Sequence, residues 1–127
     1  MKFARVVAVA GGLFLVVLGI WALIDPRSFY EQLATFPPYN RHFMHDVGAF
    51  QVGLGVTLLI ALVWADALGV ALAGVGVGAA LHAVSHWVDR DLGGRSSDPY
   101  TLSILAIAFL VAAGMRHRSQ GGPSNSA

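Results

Sequence analysis

The chain has 127 residues, of which 56% are hydrophobic and only 12% charged, with a formal net charge of +1. That is about half the charge of an ordinary soluble domain, and it excludes both a water-soluble globule and the broad basic field that nucleic-acid binding needs. Cysteine is absent, which excludes disulfides, thiolate metal sites, covalent haem attachment through Cys and cysteine nucleophiles.

Lys2 and Arg5 precede an uncharged run from Val6 to Ile24, whose 19 residues suffice to span a hydrocarbon core about 30 Å thick. Ala8-Val9-Ala10 lies inside that run and not after it, so the segment reads as an uncleaved first span. Asp25-Pro26 stops it. A polar connection follows, Pro26 to Met44. Within it, Arg27 to Ala34 predicts a short amphipathic helix with Phe29, Leu33 and Tyr30 facing the lipid boundary. Phe36-Pro37-Pro38-Tyr39-Asn40 then breaks it, and Tyr30 and Tyr39 suit the headgroup layer.

The second span runs from about Asp46 to Trp64, and the third from an N-cap at Asp66 to Val88. Trp64-Ala65-Asp66-Ala67 leaves room only for a tight turn, so these two spans form an antiparallel hairpin. Gly93-Gly94-Arg95-Ser96-Ser97 is a loop. Asp98-Pro99 starts a fourth span, Tyr100 to Met115. Its 16 residues cover about 24 Å, a length that snorkelling by Arg116 and Arg118 must extend. The expected fold is all-α: a bundle of four transmembrane helices with a short interfacial helix between spans one and two. Residues 1–118 form the membrane domain, and 119–127 a disordered polar tail. Four spans put both termini on one side, and Lys2 and Arg5 against Arg27 place that side in the cytoplasm. The chain thus reads as a multi-pass protein of the cell membrane.

Gly74, Gly78, His82 and His86 recur every four residues along the third span, on one slowly drifting face. The glycines predict a close helix contact, with Gly48 and Gly55 as the matching surface and Gln51 hydrogen-bonding between helices. A hairpin turn centred between Ala65 and Asp66 puts residues whose numbers sum to about 131 at one depth. His45 then matches His86, His42 matches Asp89, Asp46 matches Ser85 and Ala49 matches His82. Four of the five histidines gather at the extracytoplasmic end, with Asp46 and Asp89. Asp25, Glu31, Asp91 and Asp98 share that end.

Several chemistries fit this cluster. A metal site would draw on His45, His82 and His86 with Asp46 or Asp89, ligands suited to zinc, iron, copper or manganese. Haem would take His45 and either His82 or His86 as axial ligands. Proton movement is a third reading, because His82 lies roughly one turn deeper than His86. Against these stands a plainer one, in which His and Asp at helix ends cap, hydrogen-bond or meet headgroups beside the interfacial Trp87. Ser85, His86 and Asp89 are neighbours on one helix, which does not supply triad geometry, and no nucleophile elbow is present. His117 belongs to the basic flank.

The first span contains Gly11-Gly12 and Gly19, and a Pro-stopped outer segment with a short amphipathic helix follows. The second span carries Gly48-Ala49-Phe50-Gln51-Val52-Gly53-Leu54-Gly55. This layout, over residues 4–115, resembles that of small DoxX-like four-helix membrane proteins. The resemblance implies a four-helix bundle; it carries over neither an activity nor a His/Asp motif. The expected function is that of a small accessory or interaction protein of the cell envelope. Its partners would be membrane lipid and either other membrane subunits or copies of itself, not nucleic acid. The alternatives are a metal- or haem-binding protein, as in an oxidoreductase, and a carrier of a small lipid or quinone.

Overall fold

In the computed structural model, which describes residues 2–120, every regular element is a helix. α1 is Lys2–Ile24, α2 Pro26–Gln32, α3 Arg41–Ile60, α4 Ala67–Val88 and α5 Asp98–Gln120. α1, α3, α4 and α5 are each long and apolar enough to cross a membrane. Large apolar side chains stay exposed along all four, among them Val6, Phe50, Val70 and Ile104. Lipid accommodates such surfaces and water does not. The protein is an all-α four-span bundle with one short helix between the first two spans.

The helix ends follow local chemistry. The Asp25 carboxylate accepts the Ser28 N–H at 3.1 Å and Pro26 occupies the first turn, so Asp25-Pro26 both ends α1 and starts α2. The predicted apolar side of α2 is turned onto the bundle and not outward to lipid, with Tyr30 and Leu33 packed beside Phe29. Phe29 is buried to 2% exposure beside Ala22 and Met44, with its ring edge-on to Trp21 at 5.5 Å. α3 begins five residues before the predicted Asp46, at Arg41. The cause is Asn40, whose side chain accepts the Phe43 N–H at 3.1 Å. At its other end α3 stops at Ile60, and residues 61–66 turn the chain into α4.

Asp66 does not cap α4. It sits in the left-handed region at φ 58 with no side-chain capping bond. Its carboxylate is taken instead by α5, accepting from Gln120 Nε2 at 3.1 Å and lying 4.0 Å from the Arg116 guanidinium. α5 is 23 residues long, about 35 Å at the usual rise, so the helix as a whole is long enough to cross a membrane. Ser119 and Gln120, predicted as tail, belong to this helix; the rest of the predicted tail lies outside the described residues.

The packing departs from the predicted hairpin. α3 lies along α1 and α4 along α5, while α3 and α4 touch only lightly. The reason is a double glycine contact. A Cβ on Gly19 would come within 2.6 Å of the Gly48 carbonyl, and one on Gly48 within 2.8 Å of the Gly19 carbonyl. Gly12 and Gly55 repeat the arrangement, at 3.0 Å and 2.6 Å from each other's carbonyls. Each pair is seven residues apart on both helices, the spacing at which two antiparallel helices can stay in contact over successive turns. Without side chains between them the backbones approach closely, which is how helices associate in lipid, where hydrophobic driving force is lacking. Gly48 and Gly55 thus lie in a close helix contact whose partners are Gly19 and Gly12, not Gly74 and Gly78.

The core is divided. The main cluster, around Leu58, Leu72, Val75 and Phe109, fills the half of the bundle near the two described chain ends. Phe109 is fully buried there, fitting where Gly11 and Gly76 leave space; a Cβ on Gly11 would stand 2.5 Å from its ring. In the other half, Ala22, Phe29 and Met44 form a second cluster within α1, α2 and α3 only.

Candidate functional site

Helix geometry explains where the predicted stripe goes. Residues on an α-helix advance about 100° each, so a four-residue spacing drifts about 40° per step. Gly74 and His86 therefore lie about 120° apart around α4. Gly76, Ala83 and Trp87 form the side that meets α5: Gly76 lies against Leu110 and Phe109, and Trp87 Nε1 donates to Ser103 Oγ at 3.2 Å. Gly74 and Gly78 lie on the opposite side, and a Cβ at either would meet nothing within 4 Å. They do not pack inside the bundle. His82 and His86 instead share a sector with Val75 and Ala79, the stripe that carries α4 into the main core. The histidines continue that stripe past the point where the core has ended.

The two imidazoles stack, with centroids 4.8 Å apart and planes 29° from parallel. The Phe36 ring stands edge-on to His86 at 5.2 Å. His86 Nδ1 lies 4.0 Å from Asp98 Oδ2, with both side chains largely shielded. The same Asp98 oxygen accepts the Arg95 N–H at 2.8 Å. Two connections close over this point. The Gly94 N–H donates to the Thr35 carbonyl at 3.0 Å, and the Arg95 guanidinium donates to the Gln32 carbonyl. Gly93 and Gly94 have positive φ, and a Cβ on Gly93 would sit 2.5 Å from the Thr35 carbonyl oxygen. The loop needs glycine there on both counts. An open cavity of about 580 Å³ lies beside the cluster, lined by His86, Trp87, Arg90, Arg95 and Tyr100 among others.

The predicted metal set is not brought together. Among the described residues no group of three or more His, Cys, Asp or Glu is placed to hold a metal ion. Equal depth did not make equal direction. His45 lies about 140° around α3 from Leu58, the α3 residue in the main core. Asp46 faces outward and lies 3.5 Å from His42 on the same exposed surface. Asp89 is half-buried at the end of α4, where its N–H donates to the Ser85 carbonyl. Only His82 and His86 meet. Their carboxylate neighbour is Asp98, which the predicted ligand set omitted. Asp98-Pro99 was nonetheless readable as a helix start at this end of the bundle. Phe36 and Arg95 gave no such signal.

Gln51 faces the interior on the same side of α3 as Leu58, and its Oε1 is buried without a hydrogen-bond partner. The predicted interhelical bond to that oxygen is not made. Comparison with protein-family models, with curated proteins and with solved structures finds no match to this chain.

Proposed function

We propose that the protein is a small accessory subunit of a membrane assembly in the cell envelope, acting by helix association within the bilayer. The surface offered to the partner is the α4 face of Val70, Gly74, Val77, Gly78 and Leu81. One observation carries this reading. Four glycines are consumed in the α1–α3 contact, whereas Gly74 and Gly78, on the side of α4 away from α5, have open space in front of them. Glycine in a helix interior costs about 1 kcal/mol relative to alanine, and a close helix contact offsets that cost only if a helix is there. Val70, Val77 and Leu81 around them are exposed and apolar, so the partner is a transmembrane helix. The test is association in native membranes. Gly74→Leu and Gly78→Leu should leave the bundle folded and abolish co-migration with the partner.

A second reading has its own support. The cavity at His86, Trp87 and Tyr100 combines aromatic walls with Arg90 and Arg95, a lining suited to the polar head of a small lipid or quinone. A metal or haem is less well served: two stacked imidazoles offer a metal ion only two nitrogens, and side by side on one helix they cannot reach the two opposite faces of a haem. Co-purified lipid or quinone that Trp87→Ala releases would favour this second reading.

A further inference from the structure

The four spans are arranged as two pairs. α1 and α3 are held together by the Gly12–Gly55 and Gly19–Gly48 approaches, and by Ala22, Phe29 and Met44 with α2. α4 and α5 are held by Gly76 against Phe109 and Leu110, and by the Trp87–Ser103 hydrogen bond. The main core around Leu58, Leu72 and Phe109 joins one pair to the other, but only in the half near the described chain ends. In the half with the α4–α5 loop the second buried cluster stays within α1, α2 and α3. There, among the described residues, the hydrogen bonds and ring contacts that cross between the pairs all join 32–36 to 86–95. Gly94 donates to Thr35, Arg95 donates to Gln32, and Phe36 meets His86.

One group in the interior opposes closure. Gln51 lies about two turns along α3 from Leu58 and on the same side, and its Oε1 is buried without a hydrogen-bond partner. A buried acceptor left without a donor disfavours the closed arrangement, and water reaching it removes that penalty. From these observations we infer that the two helix pairs hinge about the main core. The bundle opens at the α4–α5 loop end, and the contacts of 32–36 with 86–95 are the strap that holds it shut. This is a rigid-body movement of packed units about a fixed join. Each pair stays intact as it moves, because its own contacts, Gly19 with Gly48 and Trp87 with Ser103, reach into this half. Opening parts Phe36 from His86 and uncovers Gln51, so these polar groups become reachable when the strap lets go.

The experiment measures distances in the full chain, which has no native cysteine, by pulsed electron paramagnetic resonance in lipid nanodiscs. Spin-labelled cysteines replace Phe43 and Val88, exposed on α3 and α4 at the strapped end. A control pair replaces Val6 and Val70, exposed on α1 and α4 at the core end. From Ala79, which packs on the core, to Val88 is about 14 Å along the helix. A change of about 20° in crossing angle, within the scatter of packed helices, therefore moves that end by about 5 Å. Arg95→Ala, alone and together with Phe36→Ala, should lengthen the Phe43–Val88 distance by about that amount. The Val6–Val70 distance should not change, which also shows that the core is folded. Gln51→Met, which removes the unpaired oxygen at similar size, should reverse part of the lengthening when added to Arg95→Ala. An unchanged Phe43–Val88 distance in both strap variants overturns the hinge. Equal lengthening of both distances overturns it too, because the core would then be no pivot, and a failure of Gln51→Met to shorten the distance overturns the part given to Gln51.

Discussion

The Nδ1 of His86 lies 4.0 Å from Oδ2 of Asp98, and this pair joins the last turn of α4 to the first turn of α5. Because the same oxygen holds the Arg95 N–H, Asp98 also sets the path of the loop. That loop in turn grips the 33–40 connection through Gly94 and the end of α2 through Arg95. In a half of the bundle where the buried core does not link the two helix pairs, these polar contacts do the linking.

Asp98→Ala should therefore release the loop while leaving the spans intact. Losing one such hydrogen bond costs about 1 kcal/mol. Amide exchange at 89–97 and at Thr35 to Phe36 should quicken, with exchange at Leu58 and Leu72 unchanged. Asp98→Asn, which keeps an oxygen acceptor for Arg95, should restore most of the protection. If exchange in both connections stays at the wild-type rate in Asp98→Ala, the carboxylate is not what organises this end.

Glycine substitutions should divide into two groups. Gly48→Ala places a methyl 2.8 Å from the Gly19 carbonyl, so α1 and α3 must separate, at an overpacking cost of about 1–3 kcal/mol. Gly78→Ala meets nothing and gains helix propensity. Leu72→Ala, at a fully buried position, should cost on the order of 2 kcal/mol through the cavity it leaves. Denaturation in detergent should thus rank Gly48→Ala and Leu72→Ala below wild type, and Gly78→Ala level with it or above. A destabilised Gly78→Ala would place an internal neighbour on that face.

For the histidines, any zinc or haem that the purified protein retains should depend on His82 and His86 and be indifferent to His45 and Asp46. Metal and haem content per chain in each alanine variant gives the answer. A loss in His45→Ala equal to that in His86→Ala would restore the predicted three-histidine site.

Orientation has its own test. With Lys2, Arg5, Arg116 and Arg118 cytoplasmic by the positive-inside bias, a cysteine at Ser96 should react with an impermeant thiol reagent on intact cells, and one at Ser119 should not. The chain has no native cysteine, so the signal carries no background. The reverse pattern inverts the topology.

The four spans and the short helix were legible because apolar run length and Asp-Pro, Asn and Gly punctuation are local signals. Pairing was not. The turn after α3 shows that α4 follows antiparallel, yet it says nothing about which helix packs closest. That was decided by Gly12 and Gly19 opposite Gly55 and Gly48, a match readable only once α1 is considered as a partner. The site failed for a related reason. Depth follows from residue number, but which side of a helix faces which neighbour does not, and His45 and Asp46 lie at the right level on the wrong sides. Asp98 entered the site through α5, whose position beside α4 no local signal announces.

The proposed role stands or falls on whether the Gly74–Gly78 face of α4 docks a helix of another polypeptide. Photo-crosslinking in native membranes asks this without an intermediate step, with the probe amino acid replacing Val77, which is 54% exposed between those glycines. A protein adduct of discrete mass is expected at Val77, lost when Gly74→Leu and Gly78→Leu are added, and absent when the probe sits at Ile104 on the exposed side of α5. Lipid adducts alone at both Val77 and Ile104 would mean that this face meets only the bilayer, and the docking role would be wrong.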